Sequence, residues 1–169
     1  RHKGHFSRAV FETATQLSVL CLGAGAHLVV NDRADIAALL DAGLHLGQED
    51  LEPGLARRVL GDSRCLGFST HNEQQLAAGD LEPVDYLAVG PVFSTASKMN
   101  ADPVIGLERL ASMRRLTSKP LVAIGGITRD QAKAVWRAGA DSVAVIGDLM
   151  PAEMTKATVR GRIEEWLSL

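Results

Sequence analysis

The plainest chemistry in this sequence lies where two apolar runs end in glycine. Leu121-Val122-Ala123-Ile124-Gly125-Gly126-Ile127-Thr128 reads as a strand passing straight into a glycine pair and a helix start. Ala140-Asp141-Ser142-Val143-Ala144-Val145-Ile146-Gly147 repeats that design further along. Glycines at such ends let backbone N–H groups approach a phosphate, and the dipole of a following helix favours the anion. One such turn is more simply a tight strand-to-helix connection, but two in succession point to phosphate binding. Carboxylates follow two other apolar runs: Asp32 in Val29-Val30-Asn31-Asp32-Arg33, and Asp50 in His45-Leu46-Gly47-Gln48-Glu49-Asp50. Neighbouring strands lie about 5 Å apart, so two such side chains can converge on one ion. Hard oxygen donors suit Mg²⁺ shared with substrate phosphates. On the residues alone, Asp32 is equally a helix N-cap, Asp50 a turn residue, and Glu49 a rival ligand.

A polar loop, Gly90-Pro91-Val92-Phe93-Ser94-Thr95-Ala96-Ser97-Lys98, follows a further run. Its hydroxyls and one cation can clamp phosphate oxygens, with Lys98 as a point charge. The plainer alternative is a surface loop. Ser69 and His71 stand after yet another run, and His71 is either an acid–base group or a hydrogen-bonding residue. They do not make a hydrolase site, because the tight glycine-flanked serine turn of that class is absent.

Elements must hold these residues in place. Continuous apolar runs at 26–30, 43–46, 64–68, 86–89, 121–124 and 142–146 have the character of parallel strands buried on both faces. Helical patterns fall between them, at 34–40, 72–78, 107–116 and 128–139, the last capped by Thr128 and stopped by Gly139. A final helix presents Val159, Ile163, Trp166 and Leu167 on one face. Strand–helix–strand repetition predicts an α/β parallel sheet. Polar or glycine residues close nearly every strand at its C-terminal end, as in a TIM (β/α)8 barrel with its site on the top face. A full barrel has eight strands, so the expectation is one barrel domain over 1–169, N-terminally incomplete by roughly one and a half to two βα units.

Composition is that of a soluble globular domain. The chain has 169 residues, 46% hydrophobic and 22% charged, which is ample for a core and neither disordered nor fibrous. A net charge of −2 argues against a general nucleic-acid or membrane-surface binder. No apolar stretch is long enough to span a bilayer, and no secretory signal is visible. Cys21 and Cys65, without metal spacing, read as reduced, buried thiols of a cytoplasmic protein.

Taken together, the motifs around Asn31-Asp32-Arg33, His45–Asp50, Gly67-Phe68-Ser69-Thr70-His71, Gly90–Lys98 and Ile124–Thr128 resemble thiamine-phosphate synthases, in order and at near-family spacing. The resemblance covers essentially the whole chain. It implies a transferase of thiamine biosynthesis that couples hydroxymethylpyrimidine diphosphate with thiazole phosphate, giving thiamine monophosphate and pyrophosphate, with Mg²⁺ as cofactor. It implies that Asp32 and Asp50 hold Mg²⁺. Asn31, Ser69 and Lys98 would meet the pyrimidine diphosphate, with Ser69 and Lys98 at the reacting end. Arg1 and Lys3 look like the tail of the family's Gln-x-Arg-x-Lys stretch and would pair with diphosphate oxygens. Thr95, Ala96, Ser97, Gly126, Ile146 and Gly147 would face the thiazole phosphate. Partners are then small phosphorylated substrates, with a homo-oligomer left open. Three departures stand out: Ser97 replaces the family's second Thr, Asn100 replaces an acidic residue, and the segment between Asp32 and His45 is one residue short. Two rival readings remain, a thiazole tautomerase using His71 without metal, and a non-catalytic phosphate-binding barrel.

Overall fold

A computed structural model of the chain describes residue 2, residues 4–95 and residues 102–169. The fold is α/β, and six strands form one parallel sheet in chain order. They are β1 (Val29–Asn31), β2 (Gly43–Leu46), β3 (Leu66–Thr70), β4 (Tyr86–Val89), β5 (Leu121–Ile124) and β6 (Ser142–Ala144). The chain forms two compact units, residues 1–69 with 81–86, and residues 70–80 with 87–169.

In the first unit, β1, β2 and β3 pair in parallel, with Asn31 opposite His45 and His45 opposite Gly67. Parallel neighbours need a crossover, and the helices α2 (Ala34–Leu39) and α3 (Pro53–Leu60) provide it. Leu44, Leu46 and Leu66 are fully buried, which is why β2 and β3 read as largely apolar runs. A helix precedes them, α1 (Arg8–Gly23), where the sequence reading has no element. Ser7 caps it by accepting the Val10 N–H, and Phe6, Phe11 and Ala14 pack against Ile36, Leu40 and Ala42. The far half of α1 exposes Val19, Leu20 and Leu22, so its apolar residues do not trace one buried stripe. Cys65 also departs from expectation, being exposed, while Cys21 is half-buried. The cause is register: β3 starts at Leu66, so Cys65 stands outside the strand.

In the second unit, β4, β5 and β6 pair in parallel, with Leu87 opposite Leu121 and Ala123 opposite Val143. Its helices are α4 (Glu73–Asp80), α5 (Gly106–Arg114), α6 (Arg129–Arg137) and α7 (Lys156–Leu167), with a short 3-10 turn at Gly147–Leu149. Thr128 starts α6 as expected, its N–H and hydroxyl both donating to the Gln131 side chain. β6 stops at Ala144, short of the expected 146, because the chain turns into the 3-10 segment around Asp148. That carboxylate accepts from the Arg129 N–H at 3.0 Å, from Trp166 Nε1 at 2.9 Å and from Arg162 at 2.6 Å.

One device recurs at the strand starts. Asp85 accepts the Leu66 N–H at 2.6 Å and pairs with Arg57 of α3 at 2.8 Å. Asp141 likewise accepts the Leu121 N–H at 2.8 Å and pairs with Arg114 of α5 at 2.8 Å. Each aspartate fixes the foot of a neighbouring strand to a helix, leaving the opposite strand ends for chemistry.

Candidate functional site

Asn31 is the last residue of β1, and Asp32 comes just beyond it. The Asp32 N–H donates to the His45 carbonyl at 2.9 Å, which continues the β1–β2 ladder by one residue. The backbone there turns left-handed, with φ 67. A non-glycine residue in that region is uncommon, and Asp tolerates it better than most. Asn31 Nδ2 donates to the Asp32 carboxylate, so the two side chains meet at one strand end.

Beyond β2 the chain makes a tight turn. The Asp50 N–H donates to the Gly47 carbonyl at 3.3 Å, and the Gly47 N–H donates to Asp50 Oδ2 at 2.7 Å. A Cβ at position 47 would come 3.3 Å from that carboxylate. The turn leaves Asp50 half-buried and Glu49 exposed. Asp32 and Asp50 thus follow the C-terminal ends of two directly paired strands. Among the described residues, no group of three or more His, Cys, Asp or Glu side chains forms a protein-only metal cage.

Ser69 is nearly buried near the end of β3. Its carbonyl accepts from Gln48 Nε2 at 2.7 Å, and its hydroxyl lies 2.8 Å from His45 Nε2. His45 Nδ1 in turn lies 2.8 Å from the Tyr86 hydroxyl. Sequence reasoning did not single out His45 or Tyr86 as site residues. Only a fold that sets β2 and β4 on either side of β3 brings together residues 41 positions apart.

The second unit carries the glycine ends. The Val92 N–H donates to the Ile124 carbonyl at 2.8 Å, and the Phe93 N–H to the Gly125 carbonyl at 3.0 Å. The loop after β4 therefore runs against the end of β5. Gly125 and Gly126 have φ 89 and 66, and a Cβ on Gly126 would stand 2.2 Å from the Ser94 carbonyl oxygen. Only glycine fits there. Thr95, half-buried, continues this stretch. Ile146 and Gly147 are exposed at the entry to the 3-10 turn. His71 Nδ1 lies 2.6 Å from the Gly90 carbonyl and Nε2 lies 3.4 Å from Asp102, so this side chain ties segments together. Arg1, Lys3, Ala96, Ser97 and Lys98 lie outside the described residues.

A family model described as thiamine monophosphate synthase matches residues 1–149. A thiamine-phosphate synthase of Koribacter versatilis is 52% identical over 151 residues, covering 89% of this chain and 71% of the relative. Another from Syntrophomonas wolfei is 42% identical over 167 residues, covering 98% of this chain and 80% of the relative. Among solved structures, the thiamine phosphate pyrophosphorylase from Pyrococcus furiosus is similar at a TM-score of 0.82 and 33% identity, over 99% of this chain and 82% of that one.

Proposed function

The chain belongs to the thiamine monophosphate synthase family, and on that premise we propose that it joins hydroxymethylpyrimidine diphosphate to thiazole phosphate, yielding thiamine monophosphate and pyrophosphate. The observation that carries this reading is kinship at 52% identity with a thiamine-phosphate synthase across most of the chain. The placement of Asn31, Asp32, Asp50 and Ser69 at successive strand ends supports it. The whole protein is read as one TIM (β/α)8 barrel domain, a reading supported by the parallel strands in chain order and by the 0.82 TM-score.

The reaction breaks the bond from the pyrimidine methylene carbon to the diphosphate oxygen. It forms a bond from the thiazole nitrogen to the same carbon. Both electrons of the broken bond leave with pyrophosphate, so the site must hold growing negative charge. Asp32 and Asp50 are assigned a Mg²⁺ ion. Two hard carboxylates fit it, since Mg²⁺ keeps several positions for water and substrate phosphate oxygens. When bound, the ion supplies positive charge to the departing diphosphate. Asn31 and Ser69 donate hydrogen bonds to that group, and Arg1, Lys3 and Lys98 add cations by their family positions. The thiazole phosphate is assigned to Thr95, Ala96, Ser97, Gly126, Ile146 and Gly147. Asp148 already takes the Arg129 N–H at the first turn of α6, so the phosphate is assigned to the glycine backbone and not to that amide. No protein nucleophile is required. The chain's main contribution is to hold the two substrates in line.

Incubating the protein with both substrates and Mg²⁺ tests this directly. Thiamine monophosphate and pyrophosphate should form in equal amounts, stop with EDTA and resume with added Mg²⁺. Thiazole tautomerisation that survives EDTA, with no coupling, would refute it.

A further inference from the structure

The three side chains Tyr86, His45 and Ser69 form a continuous hydrogen-bonded line whose polarity the fold determines. Gly67 of β3, which faces His45 of β2, makes the line possible. A Cβ on Gly67 would stand 2.0 Å from the Tyr86 ring carbon Cζ, so only the missing side chain lets that ring lie over the strand. The ring stacks on His45, with centroids 5.6 Å apart and planes at 25°. The phenol oxygen is then 2.8 Å from His45 Nδ1, and His45 Nε2 is 2.8 Å from Ser69 Oγ.

A neutral imidazole has one N–H and one acceptor nitrogen, so the line can run only two ways. In one, Nδ1–H donates to the phenol oxygen and the Ser69 hydroxyl donates to Nε2. The phenol proton then points away from His45, its one hydrogen-bond partner among the described residues. A half-buried hydroxyl without an acceptor is destabilising. In the other, the phenol donates to Nδ1, Nε2–H donates to Ser69 Oγ, and the serine proton points onward. Burial, and then the nearby Cys65 thiol, push Tyr86 ionisation up to about 12, so the phenol keeps its proton at neutral pH. The second arrangement leaves one proton without an acceptor among the described residues, that of Ser69, and places it at the strand end to which the diphosphate oxygens are assigned.

We infer that Tyr86 and His45 are positioning residues that fix the Ser69 hydroxyl as a hydrogen-bond donor toward the diphosphate substrate. This rests on the diphosphate-binding role proposed above for Ser69. The reverse polarity would turn serine lone pairs toward an anion. It would also give His45 the acceptor nitrogen that a serine nucleophile needs, whereas the polarity inferred here withholds it.

Two measurements test the inference. Nitrogen-15 NMR of the His45 ring, at about pH 9 where imidazole is neutral, should show the proton on Nε2, and Tyr86→Phe should mix the two tautomers. A proton on Nδ1 in the unmodified protein would overturn the inference, and this reading needs no turnover, so it stands or falls apart from the coupling activity. Kinetics supply the functional arm. Ser69→Ala should raise KM for the pyrimidine diphosphate about tenfold, the effect of one lost charge-assisted hydrogen bond. Tyr86→Phe should raise it about threefold alone and not at all on top of Ser69→Ala, with KM for thiazole phosphate unchanged throughout. An equal Tyr86→Phe effect in both backgrounds would mean a merely structural tyrosine and would overturn the inference. Unchanged KM in Ser69→Ala would remove the substrate role of Ser69, and the inference with it, even in a protein that couples normally.

Discussion

Asp32 sits in a left-handed backbone, φ 67, that costs a non-glycine residue roughly 1 kcal/mol. Glycine at this position would relieve that strain. Asp32→Gly should therefore stay within about 1 kcal/mol of the parent in urea unfolding while coupling falls at least ~100-fold. Retained turnover would contradict the metal assignment. A second carboxylate belongs to stability alone. The Arg109 side chain, hydrogen-bonded at 2.6 Å, draws Glu73 ionisation down to about 2. Its folded value lies below the unfolded one, so its contribution is complete above about pH 4.3 and is lost as pH falls toward 2. Both groups are solvent-accessible and the effect is small. Acid titration of stability should show a shallower fall in Arg109→Gln than in the parent between about pH 4.5 and 2, with equal values at the acid end. Identical curves would contradict the pairing. At this scale the sequence tells much about residue type and little about partners. Asp32, Asp50 and Ser69 are visible as polar strand ends. The different exposure of Asp50 and Glu49 depends on a turn that Gly47 closes. The link from Ser69 through His45 to Tyr86 depends on strand pairing, which no local pattern encodes.

Strands packed mostly into the core are legible in the sequence, because burial selects runs of apolar residues and admits a polar one, such as His45, where it finds partners. Gly43–Leu46, Tyr86–Val89 and Leu121–Ile124 are apolar runs that became strands with the same bounds. Helix α1 is not legible, because its far half is uncovered and its apolar residues trace no single stripe. The aspartates that fix the strand feet, Asp85 and Asp141, look like ordinary turn residues until their arginine partners are in place. Gly126 shows how a motif can have two reasons. In sequence it reads as room for a phosphate, and in the structure it is also the only residue that clears the Ser94 carbonyl. Gly126→Ala should therefore lose roughly 2–4 kcal/mol of stability in denaturant unfolding as well as weaken thiazole phosphate binding. Unaltered stability would contradict the packing role.

Across the whole molecule, a net charge of −2 must still accommodate two anionic substrates, so attraction has to be local. In the proposed reading the two compact units carry mostly different parts of that work. The first holds the carboxylates and Ser69, and the second holds the glycine ends. The proposed chemistry assigns the diphosphate to the first set through Mg²⁺ and the thiazole phosphate to the second without it. Calorimetric titration separates these assignments most directly, using pyrophosphate with and without Mg²⁺, and thiazole phosphate, against the parent protein and Asp32→Ala. Pyrophosphate binding should require Mg²⁺ in the parent and weaken by at least ~100-fold in Asp32→Ala, while thiazole phosphate affinity stays within about twofold. Mg²⁺-dependent pyrophosphate binding that survives Asp32→Ala undiminished would contradict the account.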